Sequence, residues 1–143
     1  MRTHYPPRPR ERPILQVVKV RRAFPQFRWH RTHRNGVQWS GTLQPTPDSP
    51  LYVIRLVHEP PRSPKVWVVS PGLHPDAPHR YPADGTLCLY WPREWSWDPR
   101  HSLADTIIPW AALWLYYYEI WLVTGDWVGP CSPHRPGSIK EAA

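Results

Sequence analysis

Cys88 is the residue of this 143-residue chain best suited to covalent chemistry. It stands between Leu87 and Leu89, just after a turn marked by Pro82, Asp84 and Gly85. A cysteine at the end of a short extended segment can hold its backbone in the fold while its sulfur faces a groove. The nucleophile is the thiolate, so nearby cationic groups matter, and His79 and Arg80 are the local candidates. The competing reading is a small buried hydrophobe in a strand, the commoner fate of a free cysteine. Local sequence leaves both open. A metal reading is also available, because His74, Asp76 and His79 precede Cys88. However, His74 and His79 with Cys88 lack a recognised zinc spacing, and ligation would consume the nucleophile. Cys131 and His134 form a Cys-x-x-His pair with no second pair beside it. No metal and no other cofactor is therefore assigned.

Composition limits the scaffold that must position this cysteine. The length suits one domain with its own core, and 41% hydrophobic content is globular. Ten tryptophans outnumber two phenylalanines, so indole rings must supply much of the aromatic packing. The 21 prolines imply many rigid connections and few helices. A net charge of +7 requires that a nucleic-acid or acidic-protein partner be considered. Two cysteines do not make a disulfide framework, and no apolar run follows the Arg- and Pro-rich N-terminus as in a secretory signal. Ile107 to Val123 is membrane-like but short of a span, and it holds Pro109, Glu119 and three tyrosines. The expectation is a buried helix in a cytoplasmic protein.

In chain order, residues 1–12 are expected to be a flexible basic arm, 13–135 the domain, and 136–143 a disordered tail. Residues 13–20 fit either a short helix or a strand. Four strands follow, over Phe27–His33, Val37–Leu43, Leu51–Val57 and Lys65–Val69. Asn35-Gly36 supplies the first hairpin turn, and the spacing predicts an antiparallel sheet. The long irregular stretch from Ser70 to Tyr90 is more often functional than not. Trp91 to Trp97 is expected to cover one side of the cysteine groove, the alternative being an exposed aromatic docking patch. Ser102 is the expected N-cap of a helix that either kinks at Pro109 or becomes regular near it. Leu103, Ile107, Trp110, Trp114, Tyr117 and Trp121 make one helical face, and Gly125 ends the helix.

The segment from Pro78 to Cys88 resembles the active-site segment of ubiquitin-conjugating enzymes. In that family His-Pro-Asn is followed by a loop, a glycine and Ile/Leu-Cys. Aligning Cys88 with the family cysteine places Pro78-His79-Arg80 on His-Pro-Asn and Gly85 on the glycine, without a gap. The tripeptide itself is not kept. Trp95-Ser96-Trp97-Asp98-Pro99 stands near the family's Trp-Ser-Pro segment, offset by about one residue. The pattern is similar to divergent bacterial relatives, including those of CBASS antiphage operons built around a cGAS-like nucleotidyltransferase.

The resemblance implies an α+β, UBC-like fold: a four-stranded antiparallel meander, an active-site cysteine loop and a long packed helix. It implies an acyl (ubiquitin-like) transferase carrying the C-terminus of a protein partner as a thioester on Cys88, then passing it to an amine. His79 and Arg80 join Cys88 as catalytic candidates, Arg80 standing where the family Asn donates to the oxyanion. Asp84, Gly85, Tyr90 and Trp95 are the substrate-binding candidates. The implied partners are a protein with an activated C-terminus, which the operon type would make a nucleotidyltransferase, and an activating enzyme. No membrane partner is expected. Two alternatives stand beside this reading. One is an inactive binding module of the same fold. The other, the weaker, is a basic nucleic-acid binder using the arginines of residues 2–34 with Tyr5, Phe24, Phe27 and Trp29.

Overall fold

The structure, a computed structural model, describes residues 13–130. The basic arm, the C-terminal tail and the Cys131–His134 pair lie outside the described residues. Helix α1 spans Pro13–Ala23 and is followed by strands β1 (Arg28–Arg31), β2 (Val37–Leu43), β3 (Tyr52–His58) and β4 (Lys65–Ser70). Helix α2, Ile107–Thr124, closes the described chain. The strands form one antiparallel sheet in sequence order. This α+β arrangement of four strands and two helices is compatible with a UBC-like fold.

The ambiguous N-terminal run is a helix. Its β-branched residues would also suit a strand, but tertiary contacts decide otherwise. Val17 and Val20 enter the core one turn apart. Buried Gln16 donates to the His101 carbonyl at 2.7 Å and accepts the Leu103 N–H at 3.0 Å. Its amide thereby fixes α1 to the segment that precedes α2.

Strand β1 is shorter than expected, and all four of its residues are exposed. The turn that follows carries Asn35 at φ 55°, a backbone region asparagine tolerates better than most residues. β2 and β3 each alternate, with Val37, Trp39, Leu43 and Tyr52, Ile54, Leu56 turned into the core.

Helix α2 departs from expectation at its start. Ser102 is not its N-cap: the regular helix begins at Ile107, and the Thr106 hydroxyl bonds back to the Ser102 carbonyl at 2.7 Å. Pro109 explains the delay, because its ring would clash with the Asp105 carbonyl if the helix continued back through that residue. At the third helical position its missing N–H falls among donors that have no intrahelical acceptor anyway.

The buried stripe also differs. Ile107, Ile108, Ala111, Trp114, Leu115 and Tyr118 are buried, whereas Trp110, Tyr117 and Trp121 lie only half-buried beside them. Small Ala111 and branched Leu115 are buried at the centre of this face. The larger rings fill its margins, as Trp121 does against His74 at 5.4 Å. Gly125, at φ 76°, ends the helix as expected, its N–H bonded to the Trp121 carbonyl. Glu119, the one charged residue of α2, accepts a hydrogen bond from Ser49 at 2.8 Å. No helix of the described residues is long and apolar enough to cross a membrane.

Candidate active site

The site is built by a tight turn that doubles the chain back on itself. The Tyr81 N–H donates to the Thr86 carbonyl at 2.9 Å, and the Gly85 N–H returns to the Tyr81 carbonyl at 2.8 Å. Gly85 sits at φ 75°, where a side chain would be strained. An antiparallel bridge pairs Arg80 with Leu87, and the Leu87 N–H donates to the Val66 carbonyl of β4 at 2.9 Å. Cys88 is thus tied to the sheet on one side and to residues 79–81 on the other.

The His79 carbonyl is the main anchor. It accepts the Cys88 N–H at 2.9 Å and the indole N–H of Trp114 at 3.1 Å. His79 itself lies at φ 56°, a rare conformation for a side-chain-bearing residue. Because the Cys88 N–H is engaged here, it is not directed at a reacting carbonyl. The His79 ring packs against Trp127 at 4.9 Å.

Cys88 is 8% exposed. Its Sγ faces two oxygens, the Tyr90 carbonyl at 3.5 Å and the Tyr81 hydroxyl at 3.6 Å. Burial, and secondly the Cys88 hydrogen bond, push the Tyr81 phenol well above its ordinary range. Tyr81 therefore stays protonated at neutral pH. Tyr81 and Tyr90, the two residues that meet the sulfur, also line an open groove of about 530 Å³ together with Arg62, Lys65, Asp84 and Leu89, whereas Cys88 itself lies buried behind that lining.

The structure places the remaining candidates as follows. Asp84 closes the turn: its Oδ1 accepts the Thr86 hydroxyl at 2.7 Å and the Thr86 N–H at 3.0 Å, while Lys65 pairs with Oδ2 at 2.9 Å. The Thr86 hydroxyl above all holds its carboxyl down to about 2. The Arg80 guanidinium is anchored on the carbonyls of His74 and Pro75, each at 3.2 Å. Trp95 meets Tyr90 at 4.6 Å, Trp110 at 4.8 Å and His101 at 4.6 Å, linking the aromatic segment to α2. Among the described residues no group of three or more His, Cys, Asp and Glu gathers as for a metal ion. Instead, His74 Nδ1 accepts the Asp76 N–H at 3.0 Å.

Sequence reasoning missed Tyr81 and Trp114 as neighbours of the cysteine frame. Tyr81 could have been found from the turn, since pairing 80 with 87 sets 81 opposite 86 and 79 opposite 88, which leaves 81 and 88 diagonal neighbours on one face. Trp114 carried no such signal, being 26 residues further on.

This α+β arrangement of one four-stranded sheet and two helices is compatible with the E2-like class of conjugating-enzyme folds. The model of the E2-CBASS family, described as Type II CBASS E2 protein, matches residues 16–135, and the chain belongs to that family. Membership points to a CBASS E2-like role in antiphage defence, working with other CBASS components. No curated protein matches the chain.

Proposed function

We propose that Cys88 carries the C-terminal carboxyl of a protein partner as a thioester and passes it to an amine. The observation that carries this reading is the sulfur's place against the Tyr81 hydroxyl and the Tyr90 carbonyl, two residues that line an open groove, within the span the E2-CBASS family covers. In loading, Sγ attacks the activated carbonyl carbon of the incoming acyl donor. The S–C bond forms, the bond to the donor's leaving group breaks, and the thiol proton passes to solvent. In transfer, an amine nitrogen attacks the same carbon, the C–S bond breaks, and its electron pair returns to Sγ.

Arg80 is assigned as a donor to the oxyanion of each step, braced on the carbonyls of His74 and Pro75. His79 acts through its backbone, holding Cys88 in register. Asp84 and Gly85 shape the turn, while Tyr90, backed by Trp95, supplies the apolar wall for an extended tail. The family's operon context makes a cGAS-like nucleotidyltransferase the expected partner, with an activating enzyme and ATP supplying the acyl donor.

The test is intact mass of the protein incubated with that partner, the activating enzyme and ATP. The parent chain gains an adduct that reducing thiols remove. Cys88→Ser gives a thiol-resistant ester, Cys88→Ala gives none, and Cys131→Ala keeps the adduct. An adduct persisting on Cys88→Ala would show that Cys88 is not the acceptor, and no adduct on the parent chain would favour the inactive binding module.

A further inference from the structure

The sulfur of Cys88 has one proton and two facing oxygens, and their chemistry differs. The Tyr90 carbonyl only accepts, so it suits the thiol and repels a thiolate. The Tyr81 hydroxyl can accept from the thiol and, by rotating its own hydrogen, donate to the anion. An anionic sulfur arises twice in the proposed cycle: as the nucleophile before loading, and as the leaving group when the C–S bond breaks. We infer that Tyr81 is a catalytic residue whose hydroxyl donates to the Cys88 thiolate, stabilising it as nucleophile and as leaving group. The inference rests on the thioester reading for its place in a cycle, although its physical content, an O–H donated to sulfur, stands without a partner protein.

Three observations support a donor role over that of a base. The phenol is held in its protonated form by burial and by its neighbours Cys88, Tyr90 and Asp84. A group so reluctant to ionise cannot take the thiol proton, but it keeps an O–H to give. The turn also pins the backbone of Tyr81: its N–H and carbonyl are used by Thr86 and Gly85 respectively, and from there its hydroxyl meets the sulfur at 3.6 Å before any substrate arrives. Finally, Asp84, though ionised, has its oxygens engaged by the Thr86 hydroxyl and N–H and by Lys65, while its charge further discourages the phenol from ionising.

The step balances within this site. When the amine attacks, the N–C bond forms and the C–S bond breaks with its electron pair on Sγ. The Tyr81 O–H then points at that charge, and the amine's proton leaves to solvent. No oxidant or metal takes part.

The experiment uses the full chain with Cys131→Ala, so that Cys88 is the remaining thiol. Alkylation by iodoacetamide is followed by intact mass from pH 6 to 10, for the parent and for Tyr81→Phe. The expected result at pH 7 is alkylation slowed by about 10-fold or more, the range that losing a hydrogen bond to a charged group implies. At pH 10, above the ordinary range of a thiol, the two rates should converge. Coincident profiles would overturn the inference, because a merely structural tyrosine would not move the pH dependence. Tyr81 replaced site-specifically by 3-fluorotyrosine, a more acidic phenol of nearly the same size, should shift the profile in the opposite direction. An unmoved or parallel shift there would overturn the inference even if the Phe variant folds poorly. Alkylation needs no acyl donor, so a missing thioester and a missing Tyr81 effect are separate failures.

Discussion

Replacing Trp114 tests the link between the core and the cysteine frame. Trp114 is 3% exposed, stacks on Tyr118 at 5.4 Å with 13° between ring planes, and meets Trp127 at 5.4 Å. Trp114→Ala removes the whole ring from this packing and should cost about 3–5 kcal/mol. The lost indole hydrogen bond contributes about 0.5–1.5 kcal/mol of that total. It is not more, because the His79 carbonyl keeps the Cys88 N–H and is not orphaned. Trp114→Phe separates the two parts. It keeps a ring in the stack, loses the donor, and should cost about 1–2 kcal/mol. Urea unfolding followed by far-ultraviolet circular dichroism measures both, the midpoint shifting while the slope stays constant. An Ala variant losing less than about 1 kcal/mol would refute the assigned burial. A Phe variant as damaged as Ala would refute the division between packing and hydrogen bond.

Burial pushes the imidazole of His58 down to about 4 from its ordinary 6.5. The unfolded chain therefore binds the extra proton first, and stability is lost as pH falls from about 6.5 to 4, by at most about 3 kcal/mol. Unfolding midpoints across this window should show the loss, and His58→Gln should flatten it. A Cβ on Gly41 would lie 2.5 Å from the Phe27 ring and 2.9 Å from its Cα, so Gly41→Ala should destabilise by about 1–3 kcal/mol in the same urea assay. Arg80→Ala should slow acyl transfer by about 10–1000-fold, as losing one oxyanion donor does. Arg80→Lys should not restore the rate, since Arg80 holds both carbonyls through the single nitrogen Nη2 and carries Nη1 and Nε as further donors, whereas lysine has one nitrogen for both tasks. Single-turnover transfer from the loaded protein to an amine would measure both.

The sequence by itself determined what depends on short range. Period-two alternation in Val37–Leu43 and in the next strand marked the sheet, because one face of each strand must be apolar to be buried. Asn35-Gly36 and Gly125 marked a turn and a helix end, because few residues accept positive φ cheaply. Cys88 stood out through its local register alone. Three-dimensional contacts decided the rest. Residues 13–20 chose helix because Gln16 found backbone partners at His101 and Leu103, more than 80 residues away. The face of α2 that turned inward centres on Ile108, Ala111 and Leu115 as well as Trp114, which aromatic spacing alone could not reveal. The surroundings of Cys88 were assembled from the Tyr81–Thr86 turn, the edge of β4 and the indole of Trp114. Periodicity reports which way a side chain faces along its own element. Only the packing of elements against one another fixes which oxygen lies 3.6 Å from a sulfur.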